Sequence, residues 1–174
     1  MKIFEGNYKN FNKRILSSEN IGYFLIFIFY SFVIYRLNLN KYYSVIIEII
    51  LFFIFISIAF YSNKIIFIQM ISFDESTISL KGEKFNDKWQ KELDIKETKI
   101  ELKTISSRQG LRSVIFYIKL KNKKDNYIVN AYKTFSDQQI IEIFNEFKTN
   151  KGEKIIVDEK LIILRIQEKI KKCQ

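Results

Sequence analysis

SVIIEIILFFIFISIAF, Ser44 to Phe60, is apolar except for two serines and one acid, Glu48. Whether this run crosses a bilayer decides what kind of fold the chain has. With its flanking tyrosines it extends from Tyr43 to Tyr61, which as a helix rises about 28 Å, close to the thickness of a hydrocarbon core. A second run, IGYFLIFIFYSFVIY from Ile21 to Tyr35, has no charge and is closed by Arg36. It reaches a similar length if Leu37 and Leu39 join it. The two runs, taken as about 21–38 and 43–62 and joined by RLNLNKY, read as a two-helix transmembrane hairpin. Tyr23, Tyr35, Tyr42, Tyr43 and Tyr61 sit near the ends, where amphipathic rings favour the headgroup zone. The competing reading is a pair of buried core helices, for which the rest of the chain is too small and too charged a wrapping.

Orientation follows from the cations. Lys2, Lys9, Lys13 and Arg14 precede the hairpin and Lys64 follows it, whereas the connection holds only Arg36 and Lys41. The positive-inside rule then keeps both termini in the cytoplasm of a multi-pass protein in the bacterial inner membrane. Over all 174 residues the formal charge is +10, which calls for an acidic partner such as anionic lipid headgroups. Nucleic acid is disfavoured, since no helix-turn-helix, zinc finger or aromatic RNP-like signature accompanies the charge.

Histidine is absent and the single cysteine, Cys173, is the penultimate residue. A histidine-based triad, a His or Cys metal cluster and an internal disulfide are thereby excluded. No glycine-rich phosphate loop or nucleophile elbow is present. The expectation is a protein that is not an enzyme and holds no cofactor.

Past Lys64 the pattern becomes strand-like. In TKIELKTI, Ile100 and Leu102 share one face while Lys99, Glu101 and Lys103 share the other; in SVIFYIKLK, Val114, Phe116, Ile118 and Leu120 share a face. Further strands are expected at Lys64–Phe73, Thr77–Lys81, Lys88–Ile95 and Asn126–Tyr132, separated by polar turns. Six short antiparallel strands make a small barrel or sandwich. A helix then starts at Ser136, with Gln139 at capping-box spacing and Asp137 in the first turn. Ile140, Phe144 and Phe147 recur at helical spacing until Lys151 and Gly152. The tail from Lys154 suits a basic helix through Ile162, Ile166 and Ile170, although its apolar clusters also suit strands. The domains are then 1–20, an N-terminal segment; 21–62, the hairpin; 63–151, the β domain with its helix; and 152–174, a C-terminal extension.

A hairpin followed by a strand meander and a closing helix resembles the membrane-anchored bacterial pleckstrin-homology-like proteins. The resemblance covers about residues 21–151 and rests on ISFDESTISLKG, on KWQKELDI with Trp89, and on FSDQQIIEIFNEF. It implies a binding or assembly module presented at a membrane surface. Phosphoinositide-binding members carry cations on the first strand and the following loop; here that loop is Asp74, Glu75 and Ser76, which speaks against such a pocket.

Three sets of side chains are candidate contacts. Glu48 lies roughly 7–8 Å inside Tyr43 along the helix, where it is either a snorkelling acid, a partner of Arg36 or Lys41, or a contact for another protein's helix. Arg108, Arg112, Lys121, Lys123 and Lys124 fall in expected turns, where they meet anionic headgroups or form an ordinary solvated surface. Trp89 is expected in the core. The expected partners are the bilayer and another membrane protein or a second copy. The alternative function is an immunity or inhibitory protein against a membrane-active toxin.

Overall fold

A computed structural model describes residues 1–8, 10, 13–14, 18–36, 40–63, 66–84, 87–105, 111–123, 125–130 and 133–173. Side chains at 18–20, 23, 41, 58–63 and 112 are outside that description. The chain divides into two compact units, one of Met1–Tyr8 with Ile66–Gln174 and the other of Lys9–Ile65.

The first unit is α+β and holds two antiparallel sheets. Strands β1 (Lys2–Glu5), β2 (Phe67–Phe73), β3 (Thr77–Lys84) and β4 (Asp87–Asp94) form one sheet in that order. Strands β5 (Lys99–Ile105), β6 (Ile115–Asn122) and β7 (Asp125–Val129) form the other. Period-2 alternation decides their faces: Ile100 and Leu102 of β5, with Phe116, Ile118 and Leu120 of β6, are buried. They join Ile71, Phe73, Ile78, Leu80 and Leu93 from the first sheet in one core.

Strand β1 comes from the N-terminal segment and pairs with β2, Lys2 opposite Phe73 and Glu5 opposite Met70. Phe4 is its buried anchor, meeting the Phe73 ring edge-on at 6.0 Å. The residues between β1 and β2, which include the second unit, are therefore an insertion between neighbouring strands.

Asn130, at φ 73°, ends the second sheet. Its amide donates to the Phe116 carbonyl at 2.8 Å and accepts from the Phe135 N–H at 2.9 Å, so the left-handed turn leads into the next helix with its polar atoms paired. That helix is α3 (Asp137–Lys151). Its capping box is complete, with Gln139 N–H donating to Ser136 Oγ at 3.2 Å and Gln139 Oε1 accepting from Ser136 N–H at 2.9 Å. Gly152 at φ 70° terminates it. Ile140, Ile143, Phe144 and Phe147 are its buried face. The tail is helix α4 (Val157–Cys173), which packs Ile162, Ile163, Ile166 and Ile170 against the same core. Lys169 ties the two helices by an ion pair with Asp137 at 2.6 Å.

The second unit contains α1 (Ser18–Arg36) and α2 (Lys41–Asn63). They form an antiparallel hairpin whose seam is filled by rings: Phe27 meets Phe52 and Phe55 at 6.2 and 5.9 Å, and Phe24 meets Phe55 at 5.8 Å. The hairpin is present, but its expected role as a pair of transmembrane spans is corrected. Among the described residues no helix is long and apolar enough to cross a membrane. Helix α1 opens on Ser18, Glu19 and Asn20 and closes on Arg36, so its charge-free run from Ile21 to Tyr35 rises only about 22 Å. Leu37 and Leu39, needed to lengthen it, lie outside the described residues. In α2, Glu48 postpones the charge-free run to Ile49. The membrane-protein class and the multi-pass inner-membrane placement fall with the spans, and so does the orientation drawn from the positive-inside rule. In their place stands an α+β fold with two antiparallel sheets.

Candidate functional site

A concavity of the α+β unit grows out of a fault in the β2–β3 ladder. Phe67 pairs with Glu83 and Ile68 with Gly82, but Met70 then pairs with Lys81, which leaves Gln69 as the extra residue of a bulge. The Gln69 carbonyl accepts from the Gly6 N–H at 2.8 Å. Gly82 is required opposite the bulge: a Cβ there would lie far inside contact distance of the Phe67 carbonyl oxygen and 2.9 Å from Ile68 Cα.

On the other side of Gly82, β4 places Trp89 as the cross-strand neighbour. Its indole lies 5.4 Å from the Tyr127 ring and packs against the core, as expected, while part of its surface stays open. Tyr8 meets the Phe67 ring edge-on at 6.4 Å and donates its hydroxyl to Glu83 Oε1 at 2.8 Å. Between these groups is a groove of about 480 Å³, bordered also by Gln69, Lys81, Lys88 and Gln90. Two aromatic surfaces, two amides, two ammonium groups and one carboxylate converge there, a mixture suited to holding a polar ligand or peptide rather than to a defined reaction. Nothing in the strand pattern announced it, because the bulge and the placing of Tyr8 beside Glu83 depend on pairings distant in sequence.

The expected headgroup contacts are placed differently from expectation. Lys121 is inside β6 rather than in a turn, and it is hydrogen-bonded to Glu101. That bond, with help from Lys103 at 3.4 Å, holds the Glu101 carboxyl below the usual range. Lys123 pairs with Glu97 at 2.7 Å, which raises its pKa. Both cations thus face local acids and do not make a bare basic surface. Arg112 has its backbone in a 3₁₀ turn, Leu111–Ser113, and its side chain outside the description; Arg108 and Lys124 lie outside the described residues.

In the hairpin Glu48 is exposed on α2. The Arg36 guanidinium sits 5.3 Å from the Phe32 ring centroid, on its own helix. The ring register at the seam puts Arg36 near the level of Ser44 and Glu48 a turn further along, and among the described residues no ion pair joins the two. The Lys41 side chain lies outside the description.

Sequence reading also missed a buried cation. Lys148 on α3 has a side chain only 8% exposed and pairs with Glu159 at 3.0 Å and Glu153 at 3.1 Å. Burial pulls its pKa down, but hydrogen bonds to the two carboxylates outweigh that and leave it raised. Among the described residues no group of three or more His, Cys, Asp or Glu could hold a metal ion. No protein-family model, curated protein or solved structure matches this chain.

Proposed function

We propose that this chain is a non-catalytic assembly module, a pleckstrin-homology-like β unit carrying an apolar hairpin through which copies of the chain associate. The observation that carries this reading is the hairpin's exposed surface. Beyond the ring-filled seam, Leu25 and Phe29 on α1 and Ile46, Ile50 and Phe53 on α2 are all half or more exposed, at spacings that repeat along a helix face. Exposed apolar stripes on both helices mark an interaction site. A two-helix hairpin with one filled seam and further apolar stripes is half of a four-helix arrangement, and a second copy supplies the matching half.

Association of that kind fixes several β units at high effective concentration, so that weak groove contacts at the β2–β3 bulge add up. The pleckstrin-homology-like assignment draws its support from the four- and three-stranded antiparallel sheets with α3 packed on their core.

Sedimentation equilibrium of the full chain, with co-purification of two differently tagged copies, tests the proposal. Dimers or higher species, reduced to monomer by Leu25→Ser combined with Phe29→Ser and Phe53→Ser, are expected. A wild-type chain that remains monomeric and well dispersed at micromolar concentration would overturn it.

A further inference from the structure

Helix α4 has two apolar faces where one suffices to hold it in place. Its inner stripe, Ile162, Ile163, Ile166 and Ile170, belongs to the core, with Ile166 fully buried. On the opposite side Val157, Leu161 and Leu164 follow at i, i+4 and i+7 and are 72%, 56% and 59% exposed. Ile156, just before the helix, is 58% exposed. On a helical projection Lys160 and Lys171 flank this outer stripe on one side, and Arg165 and Lys172 flank it on the other.

The cations outnumber the exposed acids of the helix, which are Asp158 beside the Arg165 shoulder and Glu168 on the outer face itself. Glu159 is drawn inward to Lys148 and accepts from the Ile156 N–H at 3.0 Å, and Glu168 pairs with Lys172 at 2.6 Å. The outer face is therefore an apolar stripe with Lys160 and Lys171 on one shoulder and Arg165 on the other, followed toward the C-terminus by the Glu168–Lys172 pair. A stripe of that charge fits an anionic layer with an apolar interior, into which side chains sink while ammonium and guanidinium groups stay at the phosphates.

We propose that the outer face of α4 docks on an anionic lipid surface, with Val157, Leu161 and Leu164 entering the interface and the flanking cations meeting headgroup phosphates. This is attachment along a surface by a helix already folded onto its domain. It goes beyond the assembly reading and does not depend on it.

Cys173 is the chain's single cysteine, exposed, and the last residue of α4, so it takes an environment-sensitive maleimide dye that reports on this helix rather than on the hairpin. The labelled full-length chain is mixed with vesicles of phosphatidylcholine alone or mixed with phosphatidylglycerol, and flotation is read in parallel. A blue shift with the anionic vesicles only is expected. Partitioning read by the dye should weaken at least about tenfold in Leu161→Ser/Leu164→Ser and in Lys160→Glu/Arg165→Glu, with unchanged circular dichroism. Any of three outcomes overturns the proposal: an equal shift with neutral vesicles, flotation without a dye shift, or a shift reproduced by heparin and indifferent to the leucine changes. The last would assign the face to a soluble polyanion.

Discussion

Gly82→Ala is the sharpest test of the bulge that shapes the groove. The added methyl would meet the carbonyl carbon of Phe67 at 2.8 Å and Ile68 Cα at 2.9 Å, with the Phe67 oxygen closer still. All three are backbone atoms, so no side chain can rotate away and the β2 backbone itself must retreat. Retreat disturbs the pairings of Phe67 with Glu83 and Ile68 with Gly82. Overpacking costs about 1–3 kcal/mol and a weakened ladder bond about 1 kcal/mol, so the expected destabilisation is about 2–4 kcal/mol. Trp89, the chain's only tryptophan, is the cross-strand neighbour of Gly82, and urea titration followed by its emission reports on this unit. Gly152→Ala serves as the comparison. Nothing lies within 4 Å of its added methyl, and only the left-handed φ of 70° is strained, for about 1 kcal/mol. If Gly82→Ala stays within about 0.5 kcal/mol of the wild type at matched protein concentration, β2 does not pack tightly over Gly82 and the bulge does not shape the groove.

Replacing Lys148 by Met leaves Glu159, a carboxylate only 13% exposed, without its cation; a loss of about 1–3 kcal/mol in urea is expected, and Lys148→Met/Glu159→Gln should recover part of it. Burial, with Asp125 as hydrogen-bond partner, pushes the Tyr127 phenol up to about 12 from its ordinary 10.0. Its contribution is therefore intact below pH 10 and is lost as pH rises through that window, by about 2–3 kcal/mol, because the unfolded chain ionises first; Tyr127→Phe should flatten the fall in the chain's urea midpoint over that range. Conversely, Glu101 is held below its ordinary 4.5 by Lys121, so its contribution is present above that value and disappears on acidification. Glu101→Gln should shallow the loss of stability there. Ser136→Ala removes the capping-box acceptor of the Gln139 N–H and should cost about 1 kcal/mol by thermal unfolding.

What could be read from the residues was what depends on near neighbours. The alternation of Ile100 and Leu102, and of Phe116, Ile118 and Leu120, identified β5 and β6, since a half-buried strand shows its period over a few residues. Ser136, Gln139 and Gly152 marked both ends of α3, because caps are set by the chain within one turn. Strand β1 escaped because four residues carry too little period and its partner lies beyond the whole hairpin. The groove escaped for a related reason, since the need for glycine at 82 comes from a carbonyl on another strand. Lys121 and Lys123 read as open turn cations, yet Glu101 and Glu97, distant in sequence, face them. The hairpin was over-read: apolar composition outweighed the polar first turn of α1, Arg36 at its end and Glu48 within α2.

The insertion between β1 and β2 bears on why such a hairpin is tolerated at all. Chain closure costs roughly (3/2)RT ln n, so joining β1 to β2 through about 60 residues rather than a four-residue turn costs only about 2–3 kcal/mol, and less once α1 and α2 are paired. Against that cost β1 brings Phe4 into the core and the Lys2–Glu146 ion pair at 2.9 Å, while Gly6 extends the ladder to Gln69. The sheet thus needs no particular content in the inserted segment, only that its two ends return to neighbouring strands. Selection on the hairpin is then free to follow its exposed face. The apolar stripes on α1 and α2 are exposed, and their cost in exposed apolar area is offset only if something covers them. A segment the fold does not require, kept apolar on its outer faces, is what an association element inserted into a β domain should look like.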